Sequence, residues 1–159
     1  MADKIQPLEK DHALAILSWK YASPYDYYNF DPDTFQEDLC YLLDSRNAFF
    51  AILNRHRELE GYCSFGTDGQ VPGGNYSAEA LDIGMGIRPD LVGQGFGRRY
   101  AQAVSKYGAT QYGGQQLRVT IAGFNQRAQR VWAQLGFERV ETFVKIGSEA
   151  VFVVMTCTV

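Results

Sequence analysis

Residues 87–99 read Ile87-Arg88-Pro89-Asp90-Leu91-Val92-Gly93-Gln94-Gly95-Phe96-Gly97-Arg98-Arg99. The stretch 81–87 predicts a strand that Pro89 stops, and the apolar spacing after Gly95 predicts a helix. Three alternate glycines lie between these elements. Glycine allows a tight turn and leaves backbone N–H groups uncovered, and such groups bind anions together with the positive end of a helix dipole. The stretch therefore predicts a strand–loop–helix unit that holds a phosphate group.

Two common phosphate-binding motifs do not fit this loop. A P-loop requires Gly-Lys-Ser/Thr, which is absent. In the dinucleotide-binding pattern G-x-G-x-x-G, Arg98 occupies the place of the third glycine. Arg98 and Arg99 carry the charge that the start of a helix disfavours, and a nearby anion would explain their presence. A tight turn with a purely structural role is the alternative interpretation.

The rest of the chain predicts helices and strands mixed around one sheet. Helices are predicted at 7–19, from Thr34 through Leu43, from about Gly95 and at 126–135, and strands at 48–53, 58–65, 81–87, 117–122, 137–145 and 150–157. The second helix is predicted to begin with a capping box, in which Thr34 and Glu37 each satisfy a free backbone amide. Residues 66–78 are predicted to form a glycine-rich loop. The fold class is therefore α/β (α+β).

Length and composition set further limits. The 159 residues are 46% hydrophobic and 21% charged, which predicts a single packed domain over residues 1–159. No window reaches the roughly 18 apolar residues of a membrane span, so we expect no membrane partner. Three widely spaced cysteines predict neither a disulfide framework nor a metal cluster, and they favour a reducing cytoplasm.

The charge is distributed unevenly along the chain. Residues 1–80 hold six Lys and Arg against thirteen Asp and Glu, a net charge of −7. Residues 81–159 hold nine against five, a net charge of +4. An acidic half suits a cationic ligand and a basic half an anionic one, although chance patchiness is the alternative. An isoelectric point near 5.3 argues against nucleic acid as the main partner.

Two stretches resemble motifs of the GNAT superfamily of N-acetyltransferases. Residues 87–98 resemble its motif A, Gln/Arg-x-x-Gly-x-Gly/Ala, with Gly95-Phe96-Gly97 at its end. The first position holds Val92, which departs from the usual Arg or Gln. Residues 125–137 resemble the segment Asn-x-x-Ala-x-x-x-Tyr-x-x-x-Gly-Phe, with Trp132 at the tyrosine position. The predicted order of elements also matches the family across nearly the whole chain.

The resemblance implies a fold and a cosubstrate. The expected fold is a single GNAT-like domain whose central, mostly antiparallel sheet of six or seven strands is flanked by helices and splays between its two middle strands. Acetyl-CoA is the expected cosubstrate, and no metal is expected. The residues expected to bind it, along one strand, in the glycine loop and opposite them, are Met85, Ile87, Gly93, Gln94, Gly95, Phe96, Gly97, Arg98 and Asn125.

The expected reaction is direct acetyl transfer to a primary amine. An alkylamine has a pKa near 10, so a carboxylate or a water chain must remove its proton near neutral pH. The family often places an acid on the strand at 81–87, where Asp82 is the candidate, with Glu79 second. A solvated charge at the strand end is the alternative for Asp82. Trp132 replaces the tyrosine that protonates the leaving thiolate in many relatives, and core packing is the alternative for Trp132.

The acceptor is expected to bind between the first two helices. Residues 19–31 are rich in aromatic and acidic residues there, and such groups attract an ammonium ion. The candidates are Trp19, Tyr25, Asp26 and Tyr28. A hydrophobic cluster that only joins the two helices is the alternative. The partner is expected to be a small-molecule or peptide amine, and the protein a monomer or homodimer. The alternative function is a non-catalytic acyl-CoA-binding or sensing module, which the missing tyrosine favours.

Overall fold

A computed structural model describes residues 3–159, so residues 1 and 2 of the predicted domain lie outside the described part. The helices are α1 (Lys10–Ser18), α2 (Phe35–Leu43), α3 (Gly97–Tyr112) and α4 (Gln126–Gln134). The strands are β1 (Lys4–Pro7), β2 (Phe49–Leu53), β3 (Leu59–Phe65), β4 (Leu81–Ile87), β5 (Gln116–Ala122), β6 (Glu138–Val144) and β7 (Val151–Thr158). Short 3₁₀ turns lie at Tyr25–Tyr28, Pro32–Thr34, Ser45–Asn47, Thr67–Gly69 and Pro89–Leu91.

The strands form one seven-stranded sheet in the order β1-β2-β3-β4-β5-β7-β6. Every neighbouring pair is antiparallel except β4 and β5, which run parallel. The predicted mixed, mostly antiparallel sheet is confirmed. The parallel pair is short, because pairing runs only from Leu81 with Leu117 to Ile83 with Val119. Beyond that point the two middle strands separate, as the resemblance implied.

Helices cover both faces of the sheet. On one face, α3 and α4 bury Tyr100, Val104 and Trp132 against the inward side chains of the strands. On the other face, α1 and α2 form a second cluster around Ile16 and Leu42. Helix α3 follows the apolar spacing predicted from the sequence, although it begins at Gly97 rather than near Gly95. None of the helices formed by residues 3–159 combines the length and apolar character needed to cross a bilayer.

The start of α2 differs from the prediction. Thr34 accepts no backbone amide proton as a cap; its hydroxyl bonds instead to the Asp31 carbonyl at 3.1 Å and the Asp38 carboxylate at 2.8 Å. The predicted capping box of Thr34 and Glu37 is therefore wrong. Pro32 starts a 3₁₀ turn just before the helix, in which the Asp31 side chain accepts from the Asp33 amide.

Candidate active site

Successive residues of β4 direct their backbone N–H and C=O groups alternately toward the two neighbouring strands, β3 and β5. The Asp82 carbonyl accepts from the Gly66 amide at 2.9 Å, and the Arg88 amide donates to the Glu60 carbonyl at 2.9 Å. Even-numbered residues of β4 therefore direct their N–H and C=O groups toward β3. By the alternation of a strand, its odd-numbered residues direct theirs toward β5.

This alternation leaves part of β4 open. Because pairing with β5 ends at Ile83, the backbone groups of Met85 and Ile87 face the gap between the separating strands. The Ile87 carbonyl accepts a hydrogen bond from the Tyr21 hydroxyl at 2.7 Å. Burial raises the pKa of Tyr21 to about 12, so this hydroxyl keeps its proton at neutral pH. The Met85 groups and the Ile87 N–H remain directed at the gap, where an extended ligand can pair with them.

The gap is part of a cavity of about 490 Å³. Its walls come from β4 and β5, from the glycine loop between β4 and α3, from α4 and from the segment that follows α1. Seven of the nine residues predicted to bind the cosubstrate line it: Met85, Ile87, Gly93, Gly95, Gly97, Arg98 and Asn125. Gln94 and Phe96 are exposed and do not line it.

The glycine loop is shaped as the sequence predicts for an anion site. Gly93 and Gly95 have φ values of 76° and 86°, which only glycine adopts readily. Apart from its two chain neighbours, no heavy atom lies within 4 Å of a Cβ placed on Gly95, so the backbone is uncovered at that residue. Helix α3 begins without a side-chain cap and without an acidic residue in its first turn. Its first amides are therefore free to bind an anion.

Two of the arginines near the loop face the cavity. The guanidinium of Arg127 lies 3.5 Å from a Cβ placed on Gly93 and stacks on the Tyr25 ring, 4.6 Å from its centroid. Arg98 also lines the cavity. Sequence reasoning missed Arg127, although it lies two residues after Asn125, at the start of the second motif. The first turn of α4 thus adds positive charge beside the glycine loop.

Arg99 has a different environment from the one expected. Its guanidinium pairs with Asp3 at 3.1 Å and with Glu60 at 3.1 Å, and it packs over the Phe96 and Tyr100 rings. The expectation that an anion offsets both Arg98 and Arg99 therefore needs correction for Arg99. Its charge is already balanced by carboxylates of this chain.

Asn125 joins the cavity to α4. Its Oδ1 accepts from the Ala128 amide at 3.1 Å and so caps the helix, while its Nδ2 donates to the Tyr28 hydroxyl at 3.0 Å. Burial raises the pKa of Tyr28. The side chain of Asn125 therefore fixes both the helix start and one aromatic wall of the cavity.

The four residues predicted to bind the acceptor lie in different environments, and only two of them line the cavity. Tyr25 and Tyr28 line the cavity. Trp19 is buried and packs against Tyr62, with ring centroids 6.0 Å apart, so it supports the wall from behind. Asp26 is exposed on the 3₁₀ turn and does not reach the cavity. The segment therefore forms an aromatic wall but brings no acid to it.

The two predicted proton acceptors also lie outside the cavity lining. Asp82 is only 4% exposed and forms a bidentate pair with Arg118, at 2.7 and 2.8 Å. Its Oδ2 also accepts from Gln70 at 2.9 Å. Glu79 is exposed. Because the buried Arg118 guanidinium neutralises the Asp82 carboxylate, the geometry favours a structural role for it over the proton-accepting role expected from its strand position.

The tyrosine position of the second motif holds a core residue. Trp132 is buried, packs edge-on against Phe137 with ring centroids 5.0 Å apart, and lines the cavity.

A hydroxyl that the sequence did not single out belongs to Tyr62. The ring of Tyr62 lies over Gly86, and its hydroxyl oxygen is 2.9 Å from a Cβ placed on that glycine. It forms no hydrogen bond within residues 3–159, and burial raises its pKa. A protonated hydroxyl is thus available in the cavity.

Comparison with known proteins gives a family and a shared fold. A family model described as "Acetyltransferase (GNAT) domain" matches residues 4–138. Among curated proteins, the comparison finds no significant match. Many solved structures share the fold, among them the following three. A chimera of the spermidine N-acetyltransferase SpeG from Vibrio cholerae and hSSAT is 18% identical, with a TM-score of 0.76 over 99% of this chain and 96% of that one.

The other two structures are similarly distant in sequence. A GNAT-family acetyltransferase from Bacillus anthracis is 16% identical, with a TM-score of 0.75 over 99% of this chain and 95% of that one. AAC(6')-Ib in complex with ribostamycin and coenzyme A is 15% identical, with a TM-score of 0.76 over 99% of this chain and 94% of that one.

Proposed function

The chain belongs to the GNAT acetyltransferase family, and we propose that it transfers the acetyl group of acetyl-CoA directly to a primary amine of a small, positively charged molecule. The structural neighbours include a spermidine N-acetyltransferase and a complex with ribostamycin, and both of these small molecules carry several amino groups. The acidic first half of the chain, which supplies the aromatic wall, supports a cationic acceptor.

One observation carries the proposal. The open backbone edge at Met85 and Ile87 runs directly into the anion site formed by the glycine loop and Arg127. A ligand that fits has an extended arm that carries amide groups and ends in a phosphate group. Acetyl-CoA has this composition, so the residues present fit it. The glycine loop and Arg98 would hold its phosphates, and β4 would pair with its pantetheine arm.

The residues around the gap can support acetyl transfer. When bound, acetyl-CoA supplies a thioester whose carbonyl carbon accepts the amine. The Met85 N–H, directed at the gap, is placed to donate to a developing negative charge on an oxygen there. A free thiol has a pKa near 8.5, so the departing sulfur needs modest help. The Tyr62 hydroxyl can give that help by donating a hydrogen bond to the sulfur. The indole N–H of Trp132 cannot act as an acid at neutral pH.

We propose that one domain of residues 1–159 performs this reaction as a monomer or homodimer in a reducing cytoplasm. Cys40, Cys63 and Cys157 are free thiols, which suits that compartment. The competing function, an acyl-CoA-binding or sensing module without turnover, rests on the absence of a tyrosine at Trp132. The free hydroxyl of Tyr62 weakens this argument, because it offers another donor in the same cavity.

The test is an amine panel with acetyl-CoA, in which release of the CoA thiol is measured. We expect turnover with diamines and polyamines, and weaker turnover with neutral or acidic amines. Gly95→Glu should abolish both turnover and the rise in melting temperature with acetyl-CoA, because it places a side chain and a negative charge in the phosphate loop. Gly95→Ala imposes the same strain on the φ of 86° without adding a charge, so it is the matched control, and it should lose less of both than Gly95→Glu. Binding without turnover across the panel would instead establish the sensing function.

A further inference from the structure

A carboxylate that sequence reasoning did not single out, that of Asp68, adjoins the cavity at Gly84, although, like Asp82 and Glu79, it is not one of the lining residues. Asp68 belongs to the 3₁₀ turn Thr67–Gly69 that follows β3. Its Oδ1 accepts from the Tyr41 hydroxyl of α2 at 2.7 Å, and its Oδ2 accepts from the Ser64 hydroxyl of β3 at 2.9 Å. Two hydroxyls from two different elements therefore hold this carboxylate in one orientation.

The position of Asp68 relative to the strands follows from Gly84. Gly84 lines the cavity and is the first residue of β4 beyond its last pairing with β5 at Ile83. A Cβ placed on Gly84 would lie 2.6 Å from the Ser64 Oγ and 3.3 Å from the Asp68 Oδ2. The carboxylate therefore covers β4 where the middle strands part, which is the inner end of the open edge formed by Met85 and Ile87.

Asp68 differs from Asp82 in its charge balance. Asp82 is neutralised by Arg118, whereas within residues 3–159 Asp68 has no Lys, Arg or His within ion-pair distance. Burial raises the pKa of Tyr41, as do the hydrogen bond to Asp68 and the charge of Asp68. Burial also raises the pKa of Tyr62, with a smaller contribution from the charge of Asp68. Both phenols therefore remain neutral near Asp68. A partly buried anion without a counter-ion is stabilised when a cation binds beside it.

We propose that Asp68 receives the ammonium group of the acceptor and takes its proton before acetyl transfer. This inference rests on the proposed function and names the residue that selects a protonated amine. The N–H bond of the ammonium breaks and an O–H bond forms on Asp68. The freed nitrogen lone pair forms the bond to the acetyl carbon, and the carbon–sulfur bond breaks. The thiolate takes up the proton that the attacking nitrogen loses as the amide forms, and Asp68 returns its own proton to solvent.

The experiment compares CoA release by the wild-type protein and by Asp68→Asn, with the best amine of the panel. Asparagine keeps the size of the side chain but cannot hold the charge or take the proton. We expect kcat/KM near neutral pH to fall by about 10²-fold or more, the range for a positioned base. The melting-temperature rise with acetyl-CoA should be retained, because the phosphate loop is untouched. The loss should narrow between about pH 7 and pH 9, as more of the amine is free without help.

Two further variants keep the test decisive. Asp68→Glu retains a carboxylate and should recover part of the activity lost in Asp68→Asn. Glu37→Gln removes an exposed negative charge from α2 and should match the wild type. The inference is overturned if Asp68→Asn turns over like Glu37→Gln, or if its deficit is independent of pH. A wild-type protein that releases no CoA thiol with any amine would overturn the proposed function itself, which is a distinguishable result.

Discussion

Asp82 and Asp68 lie on the same face of the sheet, and every carboxylate oxygen of the two residues accepts a hydrogen bond. The donors differ in charge. Asp82 bonds to the guanidinium of Arg118, also buried, whereas Asp68 bonds to neutral hydroxyls. Asp82 and Arg118 form the middle of the three residue pairs in the short parallel contact of β4 with β5. We infer that this ion pair fixes the point at which the two strands begin to separate.

Breaking this pair should cost stability. Asp82→Asn leaves the Arg118 charge buried without its partner, so we expect the free energy of unfolding to fall by about 3–5 kcal/mol. Urea unfolding followed by circular dichroism measures the change. The double variant Asp82→Leu/Arg118→Met removes both charges and should lose much less. Equal losses in the single and double variants would show that the pair is not the cause. Where Asp82→Asn remains folded, its KM for the amine should stay near the wild-type value.

The chemistry of single residues was only partly predictable from the sequence. The strand containing Asp82 was predicted, but its partner Arg118 is 36 residues away, and no local pattern joins the two. Asp68 lies in a loop predicted only as a glycine-rich connection. Its importance arises because Gly84 leaves room above β4 for the side chains of Ser64 and Asp68. Such a contact depends on strand register, which composition and spacing do not encode locally.

The loop from β4 to α3 and the start of α4 act together as one element of the site. The glycine pattern predicted the first of these correctly as a turn with open amides, because positive φ values have a clear residue signature. The contribution of α4 required the structure, since Arg127 reaches Gly93 across the cavity entrance. Strand β1 was also missed, because four residues that end in Pro7 are too short for an alternating pattern.

The two arginines Arg127 and Arg99 provide a matched test of this element. Arg127→Gln removes a charge that faces the phosphate loop, so we expect the Kd for CoA to rise by about 10-fold. Arg99→Gln removes a charge already paired with Asp3 and Glu60, and should change the Kd by less than about 2-fold. Isothermal titration calorimetry at low and high salt measures both. The effect of Arg127→Gln should shrink at high salt. Similar Kd values for the two variants would contradict the placement of Arg127.

At the scale of the whole molecule, the sheet consists of two parts that meet at a narrow contact. Strands β1 to β4 form one part, and β5, β7 and β6 form the other. Only three residue pairs, from Leu81 to Ile83 on β4, join them. Residues 1–80 supply the tyrosines that line the cavity, and residues 81–159 supply the glycine loop, Arg98 and Arg127.

A ligand bound along β4 should protect backbone groups that the protein leaves open. The amides of Gly84 and Gly86 already pair with β3, whereas those of Met85 and Ile87 face the gap. Amide hydrogen exchange resolved by residue, measured with and without acetyl-CoA, separates these two sets.

At a ligand concentration of about 100 Kd, we expect exchange at Met85 and Ile87 to slow by up to about 100-fold. Exchange at Gly84 and Gly86 should change far less, because their hydrogen bonds exist before binding. Equal protection of all four amides would indicate a general stiffening of the sheet, and unchanged exchange at Met85 and Ile87 would show that the ligand does not pair with β4.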